Sequence, residues 1–162
     1  MERVIPGPGQ ESVWDYPRPP RLEVTSKRVR ILHDGIVVVD SVNAMRVLET
    51  SHPPGIYVPP SDVRLDLLSR TSRSTMCEWK GAATYWTLDT RTSRLEDVAW
   101  SYERPVRAFA GLRSHLSFYP GRLDACWLGD ERVDPQEGGF YGGWITPDVV
   151  GPFKGGPGTW GW

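Results

Sequence analysis

The sequence predicts a mainly β protein: two small antiparallel sheets forming a partly open barrel, with one short helix. Three observations carry that class. Short runs of β-branched and aromatic residues recur between residues 25 and 134, turn residues separate them at close intervals, and only one stretch has apolar residues at helical spacing. At 162 residues the chain suits a single domain with one sizeable core.

Residues 1–24 carry Pro6, Pro8, Pro17, Pro19 and Pro20. Proline fixes φ and donates no backbone hydrogen bond, so this segment is expected as an extended arm that wraps the domain outside any sheet, anchored by Trp14 and Tyr16. In the domain proper, residues 25–134, Arg28-Val29-Arg30-Ile31-Leu32 alternates polar and apolar, Asp34-Gly35 is a hairpin signal, and Ile36-Val37-Val38-Val39 is β-branched. Ser41 is placed to cap a helix over 42–51, where Val42, Met45 and Leu48 recur at helical spacing, and Pro53-Pro54 stops it. Strands are expected at 55–58, 74–79, 83–88, 98–102, 116–119 and 125–128, with a strand or turn-strand at 63–68. Over residues 135–162 the composition shifts to glycine, proline and aromatics. Each aromatic buries about 150–250 Å² when it docks, so this tail is expected to lie as a belt on the domain with little regular structure.

A net charge of −1, with Lys and Arg scattered among Asp and Glu, argues against a nucleic-acid polymer as partner and leaves a small anionic ligand open. No run of about 18 apolar residues and no secretory h-region occurs, so no membrane partner and a cytoplasmic location are the expectation. Two cysteines, Cys77 and Cys126, without CxxC spacing give neither a disulfide framework nor a four-thiolate zinc site. Neither a metal nor a cofactor is expected.

Two polar stretches stand out. Glu49 and His52 are three residues apart in Glu49-Thr50-Ser51-His52, which puts both on one face of the last turn of the expected helix. The negative end of the helix dipole would raise both pKa values by opposing the carboxylate and favouring imidazolium, toward acid–base chemistry. The plainer reading is a solvated helix end. In Cys77-Glu78-Trp79-Lys80-Gly81, an extended backbone would set Cys77 and Trp79 on one face, as core, and Glu78 and Lys80 on the other. Gly81 complicates that reading because a glycine there marks a bulge or a close backbone approach. Lys80 near Cys77 would favour the thiolate. Tyr57, Trp79, Tyr85, Trp100, Tyr102 and Tyr119, with Ser51, are the candidate ligand-binding residues; as a group the aromatics suit either a core layer or a wall that stacks a planar ligand. Cys126 reads as core, His33 as a turn residue and His115 as surface. Lys154-Gly155-Gly156-Pro157-Gly158 lacks the spacing and following helix of a phosphate loop.

The stretches Val47-Leu48-Glu49-Thr50-Ser51-His52-Pro53-Pro54, Tyr57-Val58-Pro59-Pro60-Ser61-Asp62-Val63, Cys77-Glu78-Trp79-Lys80-Gly81, Ala99-Trp100-Ser101-Tyr102 and Phe118-Tyr119-Pro120 resemble domain-of-unknown-function family 427, also catalogued as nucleotidyltransferase family 9. The arm, with Trp14-Asp15-Tyr16-Pro17-Arg18-Pro19, and the tail, with Gly151-Pro152-Phe153-Lys154, resemble a longer, actinobacterial-type branch. The resemblance implies a β-tent-like fold of two small antiparallel sheets, akin to folds that elsewhere hold zinc or a catalytic cysteine, and a transferase label. Asp62 and Asp66 do not form the Asp-x-Asp pair that a two-metal nucleotidyl site would use.

The expected function is a small-molecule enzyme acting on an anionic or nucleotide-like ligand, with Glu49 as base or acid, His52 as proton carrier, Lys80 as anion stabiliser and Cys77 as nucleophile or lining. The alternative is a binding module that recognises a ligand or peptide without turning it over. A homo-oligomer formed through the Trp-rich tail is a third expectation.

Overall fold

Asp34 and Gly35 both take positive φ, 50° and 72°, which matches the right-handed twist of the strands they join and closes the hairpin the sequence announces. The computed structural model describes residues 1–162. In chain order its strands are β1 (Glu11–Ser12), β2 (Arg21–Val24), β3 (Val29–His33), β4 (Ile36–Ser41), β5 (Met45–Leu48) and β6 (Gly55–Tyr57). There follow β7 (Leu68–Cys77), β8 (Gly81–Asp89), β9 (Arg94–Ser101), β10 (Leu116–Phe118) and β11 (Ala125–Leu128). Last come β12 (Glu131–Arg132), β13 (Asp134–Pro135), β14 (Trp144–Ile145) and β15 (Val149–Val150).

The fold is mainly β. Two four-stranded antiparallel sheets, ordered β12-β11-β3-β4 and β10-β9-β8-β7, are joined by a three-stranded sheet, β2-β5-β6, and by short pairs, and none closes into a barrel. Alternation explains the packing. Along β3 the buried positions are Val29, Ile31 and His33, and on β4 Val38 and Val39 turn inward. Val29, Ile31, Val38 and Val39 meet Leu88, Val98, Ala99, Leu116 and Phe118 from the other large sheet in one core, which Trp144 of the tail completes at 1% exposure. Trp144 Nε1 donates to Phe118 O at 3.1 Å, satisfying the one polar atom that burial would otherwise penalise. A second, aromatic cluster sits to one side: Tyr57, Tyr85, Trp100, Tyr102 and Phe109 pack with Val47, Ala83 and Leu112. No helix is long and apolar enough to cross a membrane.

Three expectations need correction. The helix over 42–51 is not formed: Met45–Leu48 is β5, the middle strand of β2-β5-β6, and Val42 is exposed. The longest helical segment is instead the 3-10 piece Arg107–Leu112. The arm is not wholly outside the sheets, because Arg21–Val24 is the edge strand beside β5 and Glu11–Ser12 pairs in parallel with β15. The extended reading of residues 77–79 fails as well: β7 ends at Cys77, and Glu78-Trp79-Lys80 is a three-residue hairpin connection, with Cys77 opposite Gly81. Trp14 and Tyr16 do anchor the arm, Trp14 donating from Nε1 to Pro152 O at 2.9 Å and Tyr16 lying buried with its hydroxyl on Glu11.

Candidate functional site

A cleft of about 330 Å³ opens where three segments converge on the aromatic cluster: the turn after β5, the tip of the β7–β8 hairpin, and the tail from Gln136 to Lys154. Its lining includes Glu49, His52, Cys77 and Lys80, together with Tyr57, Trp79, Tyr85, Trp100, Tyr102 and Tyr119. Of the residues singled out from the sequence, only Ser51 does not line it; that residue is fully buried and its Oγ has no hydrogen-bond partner.

Glu49 and His52 come together through a tight turn and not through a helix. His52 N donates to Glu49 O at 3.0 Å, Ser51 adopts φ 72°, and the side chains face each other with His52 Nε2 3.5 Å from Glu49 Oε2. The turn is clamped from both sides. Ser51 N donates to Val13 O and Thr50 Oγ1 to Tyr16 O in the arm, while Lys154 N from the tail donates to Ser51 O at 2.8 Å. The arm also supplies Arg18, which donates to Thr50 O at 2.9 Å and lies 3.4 Å from Glu49 Oε2. Ser51 therefore serves this site as a backbone anchor.

The pKa expected of His52 is reversed. Burial disfavours imidazolium, and Lys154, Arg18 and Lys80 add repulsion, so the group falls from 6.5 to about 4 and is neutral at neutral pH. No helix end exists there to favour the charged form. Gln136 Nε2 stands 3.3 Å from His52 Nδ1, and Tyr141 packs edge-on against the ring at 4.9 Å.

At the hairpin tip, Gly81 takes φ 113°, and a Cβ there would meet Arg104 O at 3.3 Å, the close backbone approach that a glycine at this point suggests. Val106 N donates to Lys80 O at 3.0 Å and fixes the tip from behind. Lys80 is half-buried, with Nζ 5.8 Å from the centre of the Tyr102 ring, and no carboxylate lies within ion-pair distance of it. Burial works against its charge, but the acidic groups of Tyr57, Cys77 and Glu49 outweigh burial and leave the ammonium above its ordinary lysine value. Lys80 is thus a cation that its neighbours favour but that no carboxylate pairs. Cys77 beside it is a free, half-buried thiol. Cys126 is core, and burial pushes its thiol up to about 12.

The aromatic wall is mostly core. Tyr57, Tyr85 and Tyr102 are buried, Trp100 is 9% exposed and donates from Nε1 to Tyr57 Oη at 3.2 Å, and burial raises the Tyr57 and Tyr102 hydroxyls above their usual range. Trp79, Tyr119 and Tyr141 are half-buried and present ring surface to the cleft. Tyr141 and Gln136 escaped the sequence reading because they stand in a glycine-rich stretch with no period, and Lys154 entered it only as part of a phosphate loop. The one signal was the density of aromatics there. No grouping of three or more His, Cys, Asp or Glu side chains is placed to hold a metal ion.

Away from the cleft, His33 is not a turn residue but the buried end of β3, and it stands between Ser93 and Asp124. Its Nε2 is 3.0 Å from Ser93 Oγ, yet Nδ1 accepts from the Asp124 amide and Ser93 Oγ donates to Asp34. In that order the serine is not activated; the network ties three loops together.

A comparison with curated proteins returns no match. The family model described as a domain of unknown function, DUF427, and labelled a nucleotidyltransferase, matches residues 21–129, which hold Glu49, His52, Cys77 and Lys80. The chain belongs to that family.

Proposed function

We propose that the cleft binds a small anionic, nucleotide-like molecule and acts on it as an acid–base enzyme, with Lys80 pairing the anionic group and Glu49 taking a proton. The observation that carries this reading is Lys80: a half-buried cation held in its charged form, with no carboxylate within ion-pair distance, in a cleft that Lys154 also lines. An anionic group in the cleft would give Lys80 the charge-assisted pair that no carboxylate of the chain supplies. Trp79, Tyr119 and Tyr141 offer faces for a planar group. Cys77 lines the same cleft and is the candidate nucleophile only if its thiol reacts at neutral pH.

A second reading, recognition without turnover, is favoured by the depressed His52 pKa, because an imidazole titrating near 4 does not shuttle protons at neutral pH. One pair of variants separates the two readings when nucleoside monophosphates are screened for binding and for turnover. Glu49→Gln is expected to keep binding and lose turnover, while Lys80→Gln loses binding. If the native chain binds the compounds but converts none, the binding-module reading holds; if Lys80→Gln binds as the native chain does, the anion-pairing role of Lys80 is wrong.

A further inference from the structure

We infer that Gln136 is a positioning residue for His52: it locks the imidazole neutral with its single proton on Nε2, directed at Glu49 and the cleft. The argument is one of donor and acceptor identity. Gln136 is 4% exposed, and its amide has three partners. Its Oε1 accepts from Gly143 N at 3.1 Å, and its Nε2 donates to Lys154 O at 2.6 Å. Turning the amide over would set a donor against the Gly143 amide and an acceptor against the Lys154 carbonyl, so the orientation is fixed by two backbone groups that cannot change role. The remaining Nε2 proton then points at His52 Nδ1, 3.3 Å away. Nδ1 must accept, and the ring proton is left on Nε2.

The surrounding chain is built for this arrangement. Gly143 has no room for a side chain, because a Cβ would lie 2.5 Å from Pro53 Cγ and 2.6 Å from Gln136 Oε1. Gln136 N also donates to Gly143 O, so the two residues are bound both ways. The charged and titratable groups facing His52 are Glu49 in its own turn, Arg18 from the arm, Lys80 from the hairpin tip, and Tyr141 and Lys154 from the tail. Only Glu49 would favour imidazolium, and three cations oppose it. His52 is then a fixed hydrogen-bond donor and not a proton carrier. Its use toward a ligand oxygen rests on the anion-binding reading above; the tautomer does not.

Gln136 and Gly143 lie outside residues 21–129, so this part of the site comes from chain beyond the family match. Nitrogen-15 NMR of the ring nitrogens in the native full chain, with the His52 signals assigned through His52→Asn, tests the inference without any ligand. The expected spectrum has a bare Nδ1 and a protonated Nε2 for His52 at pH 7. In Gln136→Met the two tautomers should mix and the His52 titration midpoint should rise by about one pH unit or more. A protonated Nδ1 in the native chain overturns the inference, as does a folded Gln136→Met chain with an unchanged tautomer. Because the native spectrum alone can refute it, a variant that fails to fold leaves the test intact. Failure of the ligand screen would remove the anion-binding reading and leave this result standing.

Discussion

Protonating His52 would add a positive charge to a pocket edge that already holds Lys80, Lys154 and Arg18, and would press a ring proton against the Gln136 amide. Both penalties apply only in the folded state. Unfolded, the imidazole titrates near 6.5; folded, near 4. Between those values the unfolded chain binds more protons, so the folded state is fully favoured above the unfolded value and loses stability as pH falls through this window. The native chain is expected to lose about 2 kcal/mol more than His52→Asn between pH 7 and pH 5. Denaturant melts at the two pH values read this difference, and equal losses would mean the imidazole is not held neutral. Glu49 and His52 were legible as a facing pair because three-residue spacing brings side chains together in a tight turn as well as in a helix. The sign of the His52 shift was not legible, since burial by Tyr141 and Gln136 comes from residues 84 and more positions along the chain.

The β7–β8 hairpin carries Lys80 at its tip, and its geometry depends on Gly81. With φ 113° and Arg104 O 3.3 Å from where a Cβ would stand, Gly81→Ala is expected to cost about 1–3 kcal/mol. Chemical denaturation measures it, and a stability equal to that of the native chain would show that the turn accepts a side chain. At this scale the β3–β4 hairpin was readable because Asp34-Gly35 encodes its own turn between two adjacent residues. Strand β5 was not. It runs between β2 and β6 and is buried on both sides, Val47 in the aromatic cluster and Leu48 against Val13, Tyr16 and Val149, so the alternation that marks a strand is erased. Val42, Met45 and Leu48 then mimic a helical stripe, although Val42 is exposed and Met45 and Leu48 pack into different clusters.

For the whole molecule, the glycine-rich tail both fills the core and lines the cleft. Trp144 fills the main core, β15 pairs with the arm, and Gln136, Tyr141 and Lys154 close one side of the cleft. Trp144 docks while Phe140 and Trp160 are exposed, a difference that composition does not carry because chain without period gives no face to orient. The cleft therefore joins the family-matched segment, residues 21–129, to the tail after it, and Arg18 of the arm reaches Glu49 at its edge. Lys80, among this lining, is proposed to pair the anionic group of a ligand in the cleft. Calorimetric titration of the native chain with a nucleoside monophosphate, and with the same nucleoside lacking its phosphate, tests that claim most directly. The account predicts that the monophosphate binds at least about tenfold more tightly and that Lys80→Gln removes the difference, as loss of one charge-assisted contact requires. Equal affinity for the two compounds, or a preference for the monophosphate that survives Lys80→Gln, would contradict it.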